Sequence, residues 1–359
     1  MCRLLPITVV LIATALLGPA DVAVGANKKA IWGPVQLPNG GSALPLYRDL
    51  GVRFLQLSIN WAATAPQRPA NPRDPSDRAY RWPTELDEAV AEAGRYGIEL
   101  AVMAVGSPSW ANDGRSPAWA PRNRAYANFL TAAARRYGTV DHWMIWGETN
   151  RAEVFRPLPP YGRYGPRRYA RLLAAAYRAL KRQSARNKVI GGMTFTFGEV
   201  WPRDFVRWAR LPNGKPPPLD WWGHNPFGPR FPDLSKPEYP GFEGSRDFSD
   251  LDLLHRDLRR AYRGEYRRFR RRPPRIWLSE FTIPAERGTY EFPWWTTRRG
   301  QAQWLTAAYR IARRTPWIAG LGWIGLLDDP LGTPRGRTNG LMTYEGLKKP
   351  AYRAYKRAR

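Results

Sequence analysis

The chain has almost no cysteine. Its single example, Cys2, stands at the start of 359 residues. No intrachain disulfide can form, so stability must come from a large apolar core. Histidine is nearly as scarce. His142, His224 and His255 are the three present, and they lack metal-ligand spacing. No HExxH motif occurs, and no G-x-S-x-G elbow. No metal or cofactor is expected. After residue 26 no apolar run is long enough to cross a bilayer. Negative charge is also short, with 30 acidic against 57 basic residues and a net charge of +27. Nine of the basic residues are lysines and 48 are arginines. Such a balance suggests nucleic acid, but no zinc-finger, helix-turn-helix or RNA-binding signature accompanies it. No specific nucleic-acid partner is therefore expected. The arginines fall on polar faces of apparent helices and in RRFRRRPPR (267–275), and an anionic cell-envelope polymer is the partner class they leave open.

What the chain does contain begins with a leader pattern. Arg3 precedes a mostly apolar stretch from Leu4 to Leu17, and Val24-Gly25-Ala26 supplies small or modest residues before a cleavage point. We read residues 1–26 as a secretory signal and 27–359 as one catalytic domain, secreted and monomeric.

From residue 30 onward, apolar strand-like runs alternate with amphipathic helical runs. The strand candidates are Ala30–Leu37, Arg53–Asn60, Ile98–Val105, His142–Trp146, Val189–Thr194, Leu219–Gly223, Arg275–Leu278 and Gly320–Ile324. Helical spacing recurs between them, as in Leu172, Leu173, Ala176, Tyr177 and Leu180. Alternation of this kind predicts an α/β fold with a parallel sheet, and eight strands can close a (β/α)8 TIM barrel. An open doubly wound sheet would carry a glycine-rich phosphate turn after its first strand, and Ala30–Gly41 has none. Pro- and Arg-rich stretches at 64–83, 107–123 and 226–250 each follow a strand, so they would wall a cleft on one face.

Residues 142–150 read HWMIWGETN. The run lacks alternation, as a strand buried on both faces does, and Glu148 ends it. A carboxylate inside such a strand would be costly, but at its carboxyl end it can face a cleft. RIWLSEFTIP (275–284) repeats the pattern, with Glu280 closing an apolar strand. Two carboxylates facing each other across a barrel mouth suit glycoside hydrolysis. Glu199, Asp328 and Asp329 read as cap or loop acids.

WMIWGETN resembles the W-x-x-W-N-E-P-N segment of clan A glycoside hydrolases, the retaining (β/α)8 group of cellulases, mannanases and β-xylosidases. WLSEFT resembles that clan's nucleophile strand. LGVRFLQLSINW, DWWGHNPFG, and GLGWIGLLDDP followed by NGLMTYEGLKKPAYRAY resemble its second, sixth and eighth strands. The resemblance spans nearly all of 27–359. It implies Glu148 as acid/base and Glu280 as nucleophile. Two nearby carboxylates resist ionising together, so Glu148 is expected protonated in the working enzyme and Glu280 ionised. The resemblance also implies substrate contacts at Gln56, His224, Phe227 and Trp323. Three positions depart from the clan pattern. Gly147 replaces the Asn that binds the sugar 2-hydroxyl, Gln56 an Arg, and Phe227 a Tyr. Gly147 would leave room for a modified 2-position. Trp61, Trp110, Trp119, Trp201, Trp222, Trp294 and Trp295 are further candidates for sugar-facing surfaces.

The function expected is a secreted retaining glycosidase hydrolysing O-glycosyl bonds of a polysaccharide or glycoside. The alternatives are a catalytically weakened carbohydrate-binding barrel and a basic envelope-associated protein.

Overall fold

The computed structural model describes residues 28–358 apart from Tyr161, Leu331 and Pro334. The expected leader, residues 1–26, lies outside the described residues. Eight parallel strands close into a barrel in sequence order. They are β1 (Lys29–Trp32), β2 (Phe54–Asn60), β3 (Glu99–Val105), β4 (His142–Ile145), β5 (Lys188–Phe195), β6 (Trp221–Asn225), β7 (Arg275–Phe281) and β8 (Ile318–Ile324). Around them stand α1 (Leu44–Asp49), α2 (Trp61–Thr64), α3 (Thr84–Glu92), α4 (Asn123–Arg136) and α5 (Tyr164–Gln183). The ring continues with α6 (Pro202–Trp208), α7 (Leu251–Tyr262), α8 (Arg298–Arg314) and α9 (Pro350–Arg357). No helix among the described residues is long and apolar enough to cross a membrane. The expected TIM barrel is present.

Strand alternation divides the core in two. Ile31, Leu55, Val102, Trp143, Ile276 and Leu321 face outward and pack with the helices. Ala30, Phe54, Ala101, Met144, Ile190, Trp277 and Ala319 fill the barrel interior. Its lower end is plugged by rings. Trp221 stacks on Trp277 at 5.7 Å, and Phe54 meets His142 and Trp277 edge-on at 4.9 and 5.1 Å. Only the end at the strands' C-termini is left for a site.

At their C-terminal ends three strands differ from expectation by two residues or more. β1 stops at Trp32 rather than Leu37, because Pro34 has no N–H to give a ladder. β6 runs from Trp221 to Asn225, two residues beyond the expected strand, so His224 and Asn225 are strand residues. β7 continues through Phe281, which places Glu280 inside a strand rather than after one.

Candidate active site

Glu280 reaches the mouth through a bulge. Leu278 pairs with Leu321 and Phe281 with Trp323, so three steps on β7 oppose two on β8. Simple alternation from the inward Trp277 and Ser279 would send Glu280 outward. The extra residue re-aims it, as bulges beside active sites commonly do. Phe281 then faces outward, against Phe248 at 4.6 Å and Trp304 at 6.4 Å. The Ser279 carbonyl accepts from Trp32 Nε1 at 3.0 Å and from Gln56 Nε2 at 2.8 Å. Both of its lone pairs are thus occupied directly before Glu280.

Glu148 is aimed by backbone reversals. Trp146 and Glu148 have φ of 69° and 40°, a region that costs non-glycine residues on the order of 1–3 kcal/mol and persists only when neighbours enforce it. Enforcement comes from both sides. Tyr169 of α5 donates to the Ile145 carbonyl at 2.8 Å, and Thr149 N donates to Met193 O at 2.9 Å. Thr149 Oγ1 also donates to the Gly192 carbonyl. Asn150 is fully occupied, donating to the Phe195 and Val200 carbonyls at 2.9 Å each and accepting from Phe195 N at 2.7 Å.

Asn225, at the end of β6, lies between the two carboxylates. Its amide donates to Glu148 Oε1 at 3.2 Å and also stabilises the ionised form of Glu280. Its own Oδ1 is buried without a partner among the described residues. Arg151 contacts Glu148 Oε2 at 2.5 Å, bridges to Glu153 at 2.9 Å, and rests over the Phe195 ring at 4.9 Å.

Burial acts on both carboxyl groups. Burial and the neighbouring Glu148 push the Glu280 carboxyl up to about 8. Burial also raises Glu148, but the Arg151 guanidinium and the Asn225 amide oppose the rise. Both carboxyls are thus pushed towards their neutral forms, and the Arg151 guanidinium contacts Glu148 directly.

The remaining expected contacts fare unevenly. Gln56 is wholly buried. Its Oε1 accepts from Trp277 Nε1 at 3.0 Å while Nε2 holds Ser279, so it braces β7 from within instead of facing a sugar. His224 is also wholly buried. Nε2 lies 2.6 Å from the Arg246 carbonyl and Nδ1 2.8 Å from Thr194 Oγ1, and burial lowers its pKa to about 4. That leaves a neutral ring with Nε2–H donating to the carbonyl and no atom for substrate. Phe227 is buried between Phe292 at 5.1 Å and Phe195 at 5.8 Å. Trp323 faces the outer layer, with Nε1 on the Asn339 carbonyl at 3.0 Å, and is not on the floor of the mouth. Trp61 and Trp222 are likewise buried in the outer core, whereas Trp295 is exposed.

The space beside Gly147 is occupied: a Cβ there would lie 3.0 Å from Met103 Sδ. The thioether of β3 lies in the direction in which the clan's Asn side chain would project, so a side chain at 147 would have to shift Met103. Glu199, Asp328 and Asp329 have structural partners in Ala152 N at 2.7 Å, Lys349 at 2.9 Å and Arg337 at 3.0 Å. Among the described residues no group of three or more His, Cys, Asp or Glu could hold a metal ion.

Sequence reasoning missed Asn225, Trp32, Met103 and Arg151. Period-two counting would have found three of them. Trp221, Gly223 and Asn225 share one face of β6, Ala30 and Trp32 one face of β1, and Ala101 and Met103 one face of β3.

No protein-family model matches the sequence, and no curated protein matches it. Solved structures do match in fold. A family 39 glycoside hydrolase from the gut symbiont Bacteroides cellulosilyticus WH2 superposes with a TM-score of 0.65 at 16% identity over 92% of this chain. A glucosidase from Croceicoccus marinus gives 0.62 at 15% identity over 92% of this chain. GH5_18 from Streptomyces cattleya, in complex with GlcNAc, gives 0.57 at 18% identity over 93% of this chain. The chain spans 63%, 66% and 80% of the length of these three proteins. At these identities the likeness shows the fold, a (β/α)8 barrel shared with these three proteins.

Proposed function

We propose that this chain is an exported retaining glycoside hydrolase acting on a glycoside or polysaccharide. The observation that carries the reading is the single Asn225 amide set between Glu148 and Glu280, which brings the ends of β4, β6 and β7 to one point in the barrel mouth. In a retaining reaction the two carboxyl groups stand about 5–5.5 Å apart. Glu280 would attack the anomeric carbon. Glu148 would protonate the leaving oxygen and then activate water. Glu148 must carry the proton as Glu280 attacks, so Arg151 must loosen its hold on Glu148 when substrate binds. Asn225 is wholly buried, its Oδ1 included, so it positions the two carboxyl groups and does not itself reach the sugar.

A panel of aryl glycosides tests this. Glu280→Ala should abolish turnover. Glu148→Ala should retain part of the rate on substrates with good leaving groups, and azide should restore more of it. Wild-type rates in both variants would overturn the assignment. The Arg151–Glu148 ion pair favours one second reading, a carbohydrate-binding barrel of weakened catalysis. That reading expects sugar binding with no turnover on any member of the panel.

A further inference from the structure

Part of the unbalanced positive charge lines one groove on the barrel flank. α8 and α9 leave between them a groove of about 710 Å³. Arg310, Arg313, Lys348, Arg353 and Arg357 line it and are exposed, and none of the five forms an ion pair with a described residue. Lys349, also in the lining, is buried and neutralised by Asp328 at 2.9 Å, which fixes the upper end of the groove. No acidic residue lines it. The groove between α6 and α7 is different: there Asp204 and Asp257 stand among the arginines and pair with Arg203 and Arg246.

The walls are rigid. Tyr309 of α8 donates to the Leu321 carbonyl at 2.9 Å and Tyr355 of α9 to the Ala30 carbonyl at 3.0 Å. Their rings meet edge-on at 5.2 Å. Both helices are therefore pinned to the barrel, and the cations stand on fixed scaffolds. Along each helix the arginines recur at i, i+3 or i+4, a repeat of about 5–6 Å, close to the length of one pyranose unit. Like charges held this near one another repel until an anion separates them.

We propose that the α8–α9 groove binds a carboxylate-bearing polysaccharide, one acidic sugar per turn of helix, as a site separate from the barrel mouth. Guanidinium groups match carboxylates through paired N–H donors. The apolar floor, including Ala302 and Ala354, suits the C–H faces of sugar rings. Single-stranded nucleic acid would need exposed aromatic faces for its bases, and the groove offers none, since Tyr309 is buried. The choice of a glycan among polyanions rests in part on the glycosidase reading, but the binding itself does not.

The test uses the full chain and polygalacturonate, with its fully methyl-esterified form, polyphosphate and single-stranded DNA as comparisons, in calorimetric titrations. Saturable binding to polygalacturonate is expected. It should weaken as salt rises, and it should be absent for the esterified chain. The triple variant Arg310→Glu, Arg313→Glu, Arg353→Glu should bind at least about tenfold more weakly. A control on α4 and α5, Arg124→Glu, Arg178→Glu, Arg182→Glu, changes net charge equally and should bind as the wild type does. Absence of binding, an equal loss in the control, or tighter binding of DNA or polyphosphate that the groove variant abolishes would each overturn the proposal. Binding is read without turnover. Failure here with aryl glycosides still cleaved, or the reverse, separates this inference from the catalytic one.

Discussion

Glu280 carries a cost that its replacement should reveal. Its carboxyl has an ordinary pKa of 4.5 and is pushed up to about 8 in the folded protein by burial and by Glu148. Between those values the native state holds a proton that the unfolded chain has released. Stability is therefore full below the ordinary pKa and is lost as pH climbs through about 8. Glu280→Gln should raise Tm at pH 8 and narrow its advantage towards pH 4, in thermal unfolding followed across pH. An unchanged Tm difference at both pH values would mean that the carboxyl is not held neutral. Gln56 acts on the same glutamate from behind. Gln56→Leu would leave the Trp277 N–H without its acceptor and take away one of two donors to the Ser279 carbonyl. Each buried group so orphaned costs about 1–3 kcal/mol. The variant should lose both stability and kcat, with KM less affected, because Gln56 positions Glu280 and does not touch the sugar. A change confined to KM would instead return Gln56 to the substrate.

At the scale of elements, the bulge on β7 and the loop after β6 do most to shape the mouth. The bulge needs room on β8, and glycines provide it. A Cβ on Gly322 would sit 2.1 Å from the Ser279 carbonyl and 2.2 Å from Gln56 Nε2, and one on Gly320 would sit 2.3 Å from the Trp277 ring. GLG in β8 is thus the complement of the Trp277–Gln56–Ser279 contact. The loop over 226–250 was expected from its composition to wall the cleft, and buried charge braces it. Arg230 bridges Asp247 and Asp250 at 2.6 Å each, and Arg246 bridges Glu238 and Asp257 at 2.7 and 2.8 Å. Arg230→Met would leave two buried carboxylates without their cation, a loss of about 3–5 kcal/mol. Denaturant unfolding should show it as a lowered midpoint with little change in slope. A midpoint within error of wild type would show that the loop does not depend on this pair.

For the molecule as a whole, the pair of carboxylates works as one titrating unit. On the glycosidase reading, activity requires one proton shared between them, so it should follow a bell in pH whose alkaline limb reports the Glu280 carboxyl, pushed up to about 8. The acid limb reports Glu148, whose ionised form Arg151 favours. Arg151→Gln should therefore move the acid limb to higher pH while leaving the alkaline limb less affected. Profiles of kcat/KM against pH for the two proteins check both limbs, and an acid limb that stays in place would separate Arg151 from the titration.

The barrel was legible in the sequence because its cause is local and repeated. Parallel strands covered on both faces read as unbroken apolar runs, and helices between them read at a period of 3.6. Glu148 and Glu280 were legible for a related reason, since a carboxylate that ends such a run has few other places to go. The neighbours of those carboxylates were not. Which side of a strand a residue faces depends on register, and one bulge on β7 reverses it. His224 and Trp323 looked like site residues by chemistry and by resemblance, but alternation sends both into the outer layer, and Asn225 and Trp32 take the inner positions. Gln56 was placed on the correct strand, yet its partners, Trp277 and Ser279, are more than 200 positions away and meet it only once the barrel closes. The sequence by itself determined the architecture and the two acids. Only the tertiary structure decided what surrounds them, because burial, Arg151 and Asn225 meet the two carboxyl groups only where β4, β6 and β7 end together at the barrel mouth.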